Sequence, residues 1–155
     1  MAQVETLMLA NHAESLNGLL YIHGGGWSHH WRGQVAGSQD PAPSQFAIAT
    51  TFLLDAGETG RPHAFVVRVA SDRGEEVLRA EGSLDGGTPG SAEAPFRTGV
   101  ALNASVPFPH EGTYTLTAEI DGRGGAAVVF WVHDSAPGAA QPPSGADSGT
   151  TSGYL

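Results

Sequence analysis

The residues most suggestive of chemistry form one short segment, His23–Trp27, which reads HGGGW. In hydrolases with an HGGG loop, backbone N–H groups of the glycines stabilise the oxyanion that develops during acyl transfer. Such a loop acts beside a serine in a G-x-S-x-G turn on a sheet with crossover helices. The nearest serine context, GWSHH at Gly26–His30, lacks the final glycine. We therefore predict that the protein is not an enzyme, and an esterase is kept only as an alternative.

The residues around this segment could instead form a binding site. Tyr21, Trp27, His29, His30 and Trp31 place aromatic rings beside polar groups, which is what a site for a sugar or a small aromatic molecule requires. Alternatively, the two tryptophans cap one end of the hydrophobic core. On a strand, the adjacent residues His29 and His30 point to opposite faces, so they cannot easily chelate one metal together, although metal binding by them stays open. No metal ligand set and no cofactor are predicted.

Composition restricts the classes of partner. The chain has 155 residues, no cysteine, seven arginines, no lysine and a formal net charge of −9. The length fits one domain, and the negative charge disfavours binding to nucleic acids and to anionic lipids. The N-terminal residues lack the pattern of a signal peptide, and no apolar run approaches the roughly 20 residues of a membrane span. A soluble protein of the cytoplasm, or of a virion if phage-encoded, is expected.

The elements that must position these residues are strands, because apolar and polar residues alternate along most of the chain. Asn17-Gly18 predicts a hairpin turn, and three glycines at a strand end predict a bulge or a close pass of another backbone. Residues 1–133 are therefore predicted to form an all-β, antiparallel two-sheet sandwich of the immunoglobulin-like type with about eight strands. These strands are Glu5–Ala10, Leu19–Gly24, Gln45–Asp55, Pro62–Ser71, Glu76–Leu84, Arg97–Val106, Thr113–Asp121 and Ala126–His133. The segment Ser28–Ser44 is either an ordered functional loop or a long connection.

The last 22 residues, 134–155, differ in composition from the rest. They are rich in Pro, Gly, Ala, Ser and Thr, which cannot bury enough apolar area to offset chain entropy. A disordered C-terminal tail is predicted, in which Tyr154 and Leu155 could act as a docking tip.

Three blocks of sequence resemble an uncharacterised bacterial family of small β-sandwich proteins, of a type frequent in actinobacterial genomes. The first block is an acidic residue followed by N-G-x-L-Y and G-G-G-W, here Glu14, Asn17, Gly18, Leu20, Tyr21, Gly24, Gly25, Gly26 and Trp27, with Leu19 in place of the usual basic residue. The second is R-P-H-x-F at Arg61, Pro62, His63 and Phe65, followed by the turn Asp72-Arg73-Gly74. The third comprises Gly112, Tyr114, Asp121, Gly122, Phe130 and Val132. The resemblance covers about residues 5 to 133. It implies the sandwich fold and transfers no catalytic residue.

Two functions remain open on these grounds. The first is a non-catalytic structural or protein-interaction domain, such as a virion decoration or shell subunit, with a protein partner or self-association. The second is a small-ligand or carbohydrate-binding module that uses the Trp27–Trp31 loop. For His63, the expected role is a structural hydrogen bond at the start of its strand.

Overall fold

The computed structural model describes residues 1–86 and 94–135. In this part of the chain there are nine strands and a 3-10 helix at Ala56–Glu58. The strands are β1 Gln3–Leu16, β2 Leu19–Gly25, β3 His29–Arg32, β4 Ser44–Leu54, β5 Pro62–Ser71, β6 Glu76–Asp85, β7 Phe96–Val106, β8 Gly112–Ile120 and β9 Arg123–Asp134. The prediction of an all-β sandwich is confirmed. Asp134, predicted as the first residue of the disordered tail, is instead the last residue of β9, and the rest of that predicted tail beyond Ser135, with Tyr154 and Leu155, lies outside the described residues.

The strands form two sheets packed face to face. One has the order β2-β1-β4-β7 and the other β3-β9-β8-β5-β6. Their inner faces carry the apolar residues that alternate along the sequence, so each buried side chain contributes about 1.5–3 kcal/mol by leaving water. The core comprises Phe46, Ile48, Phe52, Leu54, Phe65, Val67, Val69, Tyr114, Leu116, Ile120, Phe130 and Val132, among others.

The strand order is that of an immunoglobulin-like domain. In such domains, strands A, B and E share one sheet, and C, F and G share the other, with C′ added in the variable type. Here β1, β4 and β7 take the places of A, B and E, and β9-β8-β5-β6 follows the order G-F-C-C′. The hydroxyl of Tyr114 near the start of β8 donates to the carbonyl oxygen of His110 at 2.8 Å, which is the tyrosine corner of this fold. The prediction of an immunoglobulin-like sandwich is confirmed.

One strand was not predicted, and its direction differs from the expected antiparallel pattern. β3 lies within Ser28–Ser44 and pairs with β9 in parallel, with His29 opposite Trp131 and Trp31 opposite His133. Part of this segment is therefore an ordered edge strand. It was missed because four residues reading HHWR have no apolar alternation, and their partner lies about a hundred positions along the chain.

The hairpin of β1 and β2 forms a third layer. The first half of β1 pairs with β4, and its second half pairs with β2. The side chain of Asn103 on β7 bonds to both the N and the O of Ala13, and Ser15 Oγ donates to Gly99 O at 2.9 Å. A second buried cluster lies between this hairpin and the outer face of β4 and β7; its members include Ala10, Ala13, Ala47, Ala49, Leu20, Ile22 and Ala101. The chain itself therefore covers the middle of the outer face of β4 and β7.

Candidate functional site

The candidate site lies on the outer face of the five-stranded sheet, where β3 forms the edge. Arg32 at the end of β3 anchors this strand: its Nε donates to Asp134 Oδ1 and its Nη1 donates to Phe108 O at 2.7 Å. The N–H of Trp131 donates to the carbonyl of Ser28 at 2.9 Å. Because these bonds fix β3 against β9, the outward side chains of the two strands face the solvent side by side.

Four outward rings form what we call the aromatic ladder: His29 and Trp31 on β3, Trp131 and His133 on β9. His29 stacks on Trp131 with ring centroids 5.3 Å apart, and Trp31 lies 5.3 Å from His133. The two imidazoles are nearly coplanar, with His29 Nδ1 2.8 Å from His133 Nε2. The two tryptophans remain 53% and 42% exposed. Large aromatic groups are thus held in a fixed arrangement at the surface and left half in water.

The ladder continues into a wider uncharged area. Strand alternation places Thr113, Thr115 and Thr117 of β8 beside Trp131, Val129 and Ala127 of β9. Aspartate, glutamate, lysine and arginine are absent from the outward positions of β3 from His29 to Trp31, of β8 from Thr113 to Thr117 and of β9 from Ala127 to His133. We call this area, with the ladder, the aromatic face. An exposed apolar surface rimmed by polar residues is typical of a contact site.

Two of the predicted site residues point the other way. Trp27 packs edge-on against Phe46 and Phe130, with centroids 6.2 and 5.9 Å apart, and so caps the core. His30 lies between Trp27 and Phe108. Burial lowers the pKa of His30 and so favours the neutral ring, and its Nε2 has no hydrogen-bond partner among the described residues.

Tyr21 belongs to a different surface. It lies on β2, on the exposed side of the hairpin that covers the four-stranded sheet, and is 48% exposed. Leu16 and Leu19 are exposed at the tip of the same hairpin. The five residues predicted as one site therefore divide into an outward pair on β3, an inward pair and a residue of the other sheet.

The glycines of the HGGG segment serve packing. A Cβ on Gly24 would lie 2.5 Å from the Asn11 side chain, and one on Gly25 would lie 2.8 Å from Ile22. The N–H of Gly26 donates to Leu9 O at 2.8 Å. The close neighbours of Gly24 and Gly25 are therefore side chains, whereas a bulge or a close pass of another backbone was predicted; the backbone contact of the run is the hydrogen bond from Gly26.

His63 fulfils the structural role expected for it. The ring is fully buried, Nδ1 lies 2.7 Å from Asp121 Oδ2, and Nε2 lies 2.7 Å from the carbonyl oxygen of Glu58. The hydrogen bond from His63 lowers the pKa of the Asp121 carboxyl, opposed by burial. Because a carboxylate and a carbonyl can only accept, both bonds form fully when both ring nitrogens carry a hydrogen. This connection fixes the β8–β9 turn to the start of β5.

Among residues 1–86 and 94–135, no three histidine or acidic side chains converge in a way that could hold a metal ion. In the same residues there is no helix of the length and apolarity needed to cross a bilayer.

Two residues of the ladder were not recognised as site residues from the sequence. Trp131 and His133 alternate with Phe130 and Val132 in a strand that was correctly predicted, so their outward direction was available from the pattern. Their proximity to His29 and Trp31 was not available, because β3 itself was not predicted.

These features define an immunoglobulin-like β-sandwich with one outer face covered by its own hairpin and the other bearing exposed tryptophans. The chain belongs to a family of unknown function (DUF6941), whose model matches residues 5–133. This confirms the predicted resemblance to an uncharacterised family over that range.

No curated protein matches the chain. One similar solved structure is the crystal structure of an immunoglobulin-like protein from Pseudomonas aeruginosa. It is 13% identical, with a TM-score of 0.39, and the match covers 86% of this chain and 97% of the other.

Proposed function

We propose that the protein is a non-catalytic protein-interaction domain whose contact surface is the aromatic face. The observation that carries this proposal is that one outer face of the sandwich is covered by the chain and the other is exposed. The chain covers the outer face of β4 and β7 with its own hairpin, while Trp31 and Trp131 on the opposite outer face stay half exposed. The proposal includes a role as a subunit of a larger assembly, in the cytoplasm or in a virion, which an exposed aromatic surface would support.

The energy available at this face supports a protein contact. A tryptophan buries about 150–250 Å² when fully enclosed. At about 25 cal/mol per Å², enclosing the exposed half of each ring would contribute about 2–3 kcal/mol per tryptophan. The absence of charge in the aromatic face lowers the desolvation cost of such a contact.

The geometry also bears on the alternatives. The Trp27–Trp31 loop does not present its rings together, since Trp27 packs into the core. A sugar-binding module would have to use Trp31 and Trp131 as the platform, with His29 and His133 as polar groups, and this form of the second hypothesis is favoured by the ladder. Titration of tryptophan fluorescence with a set of glycans tests it, and a response abolished by Trp131→Ala would favour sugar binding over the protein contact.

Site-specific photo-crosslinking tests the interaction domain. A photoreactive amino acid replaces Thr115 in the aromatic face, and a matched one replaces Glu14 on the exposed side of the β1–β2 hairpin. In cells that naturally make the protein, we expect protein adducts from position 115 that disappear in the Trp31→Ala/Trp131→Ala background. Adducts from position 14 alone, or none from either position, would contradict the proposal.

A further inference from the structure

The chain leaves the sandwich next to the aromatic ladder. The N–H of Ser135, the residue after β9, donates to the carbonyl oxygen of Arg32 at 3.1 Å. β3 and β9 are parallel, with Trp31 opposite His133 and Arg32 opposite Asp134, so the two strands end at the same end of the face. The residues that follow Ser135 therefore begin just beyond the ladder.

The sequence predicts a turn shortly after this point. Residues 136–139 read APGA, and Pro followed by Gly is the pattern of a type II β-turn, because Pro fixes a negative φ and Gly adopts the positive φ that follows. A chain that reverses there runs back antiparallel to β9. At about 3.1–3.3 Å per residue in both directions, Pro142 comes level with His133 and Ser144 comes level with Trp131. The pair Pro142-Pro143 is thus level with the ladder.

Two routes are open to a segment that returns in this way, and its prolines favour one of them. Within the sheet, β9 already has β8 on one side and β3 on the other, and the inner face is filled by the core. The segment can therefore follow the outer edge of β3 or lie on the outer face. Pro142 and Pro143 have no N–H to donate to an edge strand. The outer face, with its exposed rings, is the route that remains.

The chemistry of the segment matches that of the ladder. Adjacent prolines favour the polyproline II conformation, and such segments bind to surfaces lined with aromatic rings because they lose little conformational entropy there. Trp31 and Trp131 are half exposed and supply these rings. Residues 135–146 include no charged side chain, and neither do the outward positions around the ladder. In a chain of net charge −9, an uncharged segment approaches an uncharged surface without repulsion.

We propose that the aromatic ladder binds residues 141–144 of its own chain, with Pro142 and Pro143 against Trp31 and Trp131, and that this contact regulates access to the aromatic face. The inference rests on the proposed function and specifies the regulation of its contact surface. A segment tethered by a few residues has an effective concentration on the order of 1 mM. A dissociation constant of about 1 mM between segment and ladder therefore covers the ladder in about half of the molecules. A partner that binds the open face then has its apparent affinity lowered about twofold.

Quenching of a bimane fluorophore by tryptophan tests the contact, because this quenching requires close approach and the chain has no cysteine of its own. In the full chain, bimane is attached to Ser144→Cys, inside the segment, or to Thr150→Cys, the matched position farther along. In a chain that does not dock, length alone makes contact about twofold more frequent at position 144, since effective concentration falls with about the −3/2 power of length. With docking, we expect the quenching at position 144 to exceed that at position 150 at least about fivefold.

Two double variants assign this contact to the prolines. Pro142→Ser/Pro143→Ser is expected to return the ratio of quenching to about twofold. Tyr154→Ser/Leu155→Ser is the matched control: it removes the two bulky apolar side chains of the predicted docking tip and should leave the ratio unchanged. Dependence of the quenching on Tyr154 and Leu155 instead of the prolines would overturn the proposal.

Further outcomes concern the ladder and the origin of the segment. Trp31→Phe/Trp131→Phe should abolish the quenching at position 144, and persistence of the quenching would place the contact elsewhere. Quenching that falls on dilution would mean that the segment binds a second copy of the chain. Either result, or a ratio near twofold in the unaltered segment, would overturn the proposal. Circular dichroism confirms that each variant is folded.

Photo-crosslinking at position 115 separates failure of this inference from failure of the proposed function. Pro142→Ser/Pro143→Ser is expected to raise the yield of protein adducts about twofold, because the face is then open in every molecule. An unchanged yield refutes the regulation. Adducts at position 115 without bimane quenching at position 144 refute this inference and leave the interaction face standing. Quenching without adducts refutes the proposed function and leaves only the binding of the segment.

Discussion

The buried connection made by His63 allows a demanding test of the packing. His63→Leu keeps an apolar group of similar size and removes both ring nitrogens, so that Asp121 Oδ2 and the Glu58 carbonyl oxygen each lose their hydrogen bond to His63. A hydrogen bond to a charged group contributes about 1.5–3 kcal/mol, and a buried acceptor left unpaired costs about 1–3 kcal/mol. We therefore expect the free energy of unfolding to fall by about 2–4 kcal/mol, because Asp121 is partly exposed and keeps its hydrogen bond from the N–H of Ala64.

Asp121→Asn is the companion variant. Asp121 has a φ of 52°, in the left-handed region, where asparagine is well tolerated. The substitution keeps an acceptor for the N–H of Ala64, which lies 3.1 Å from Asp121 Oδ1, and removes the charge facing His63. We expect it to cost about 1.5–3 kcal/mol. In the double variant the free energy of unfolding should fall by less than the sum of the two single losses, and the difference should be about 1.5–3 kcal/mol, since the two residues share one interaction.

The assay is urea unfolding followed by tryptophan fluorescence, in which Trp27 reports on the core. The pH dependence adds a second readout. The folded pKa of Asp121 lies below its unfolded value of 3.8, so its contribution is present above about pH 4 and is lost as the pH falls through the folded pKa. The acid side of the stability curve should be shallower in His63→Leu. A loss below about 1 kcal/mol, or strict additivity in the double variant, would refute the reasoning.

Two further predictions concern the edge strand and the hairpin. The pKa of His30 in the folded protein lies below the unfolded value of 6.5. Below pH 6.5 the unfolded chain therefore binds a proton that the folded protein binds less readily. As the pH is lowered from 6.5, the free energy of unfolding should decrease by up to about 1.4 kcal/mol per pH unit. His30→Leu should flatten this dependence in urea unfolding between pH 7 and 5, and parallel curves for both proteins would contradict the assignment. At the hairpin, a Cβ on Gly99 would lie 2.5 Å from Leu20 Cγ, so Gly99→Ala should cost about 1–3 kcal/mol. Gly99→Ala should cost less in a Leu20→Ala background than in the wild-type background, because the shorter side chain leaves room for the added Cβ. An equal cost of Gly99→Ala in both backgrounds would show that the two residues do not touch.

Much of the fold follows from local pattern. β4 alternates Phe46, Ile48, Phe52 and Leu54 inward, and the structure buries all four, because a strand with one face in a core permits only that register. The Asn17-Gly18 turn forms as predicted, with φ of 52° and 78°, because these two residue types adopt positive φ readily.

The surface against which the β1–β2 hairpin packs could not be predicted from local pattern. Ala47 and Ala49 alternate with the core residues and would be expected to face solvent, yet both are buried beneath the hairpin. Small side chains there let the hairpin approach closely, but the sequence does not state which surface it folds against. That choice depends on contacts such as Asn103 to Ala13, between residues 90 positions apart.

The sequence by itself determined the class of fold, the positions of most strands, and the inward or outward direction of each side chain along them. These properties depend on neighbours within a few residues, so the alternation of apolar and polar residues along each strand is enough to predict them. Only the tertiary structure decided which outward residues meet. Trp31 and Trp131 come together because β3 docks in parallel on β9, and Tyr21 is separated from them because its hairpin folds over the opposite sheet. Such pairings are set by the packing free energy of the whole chain, which no short segment contains.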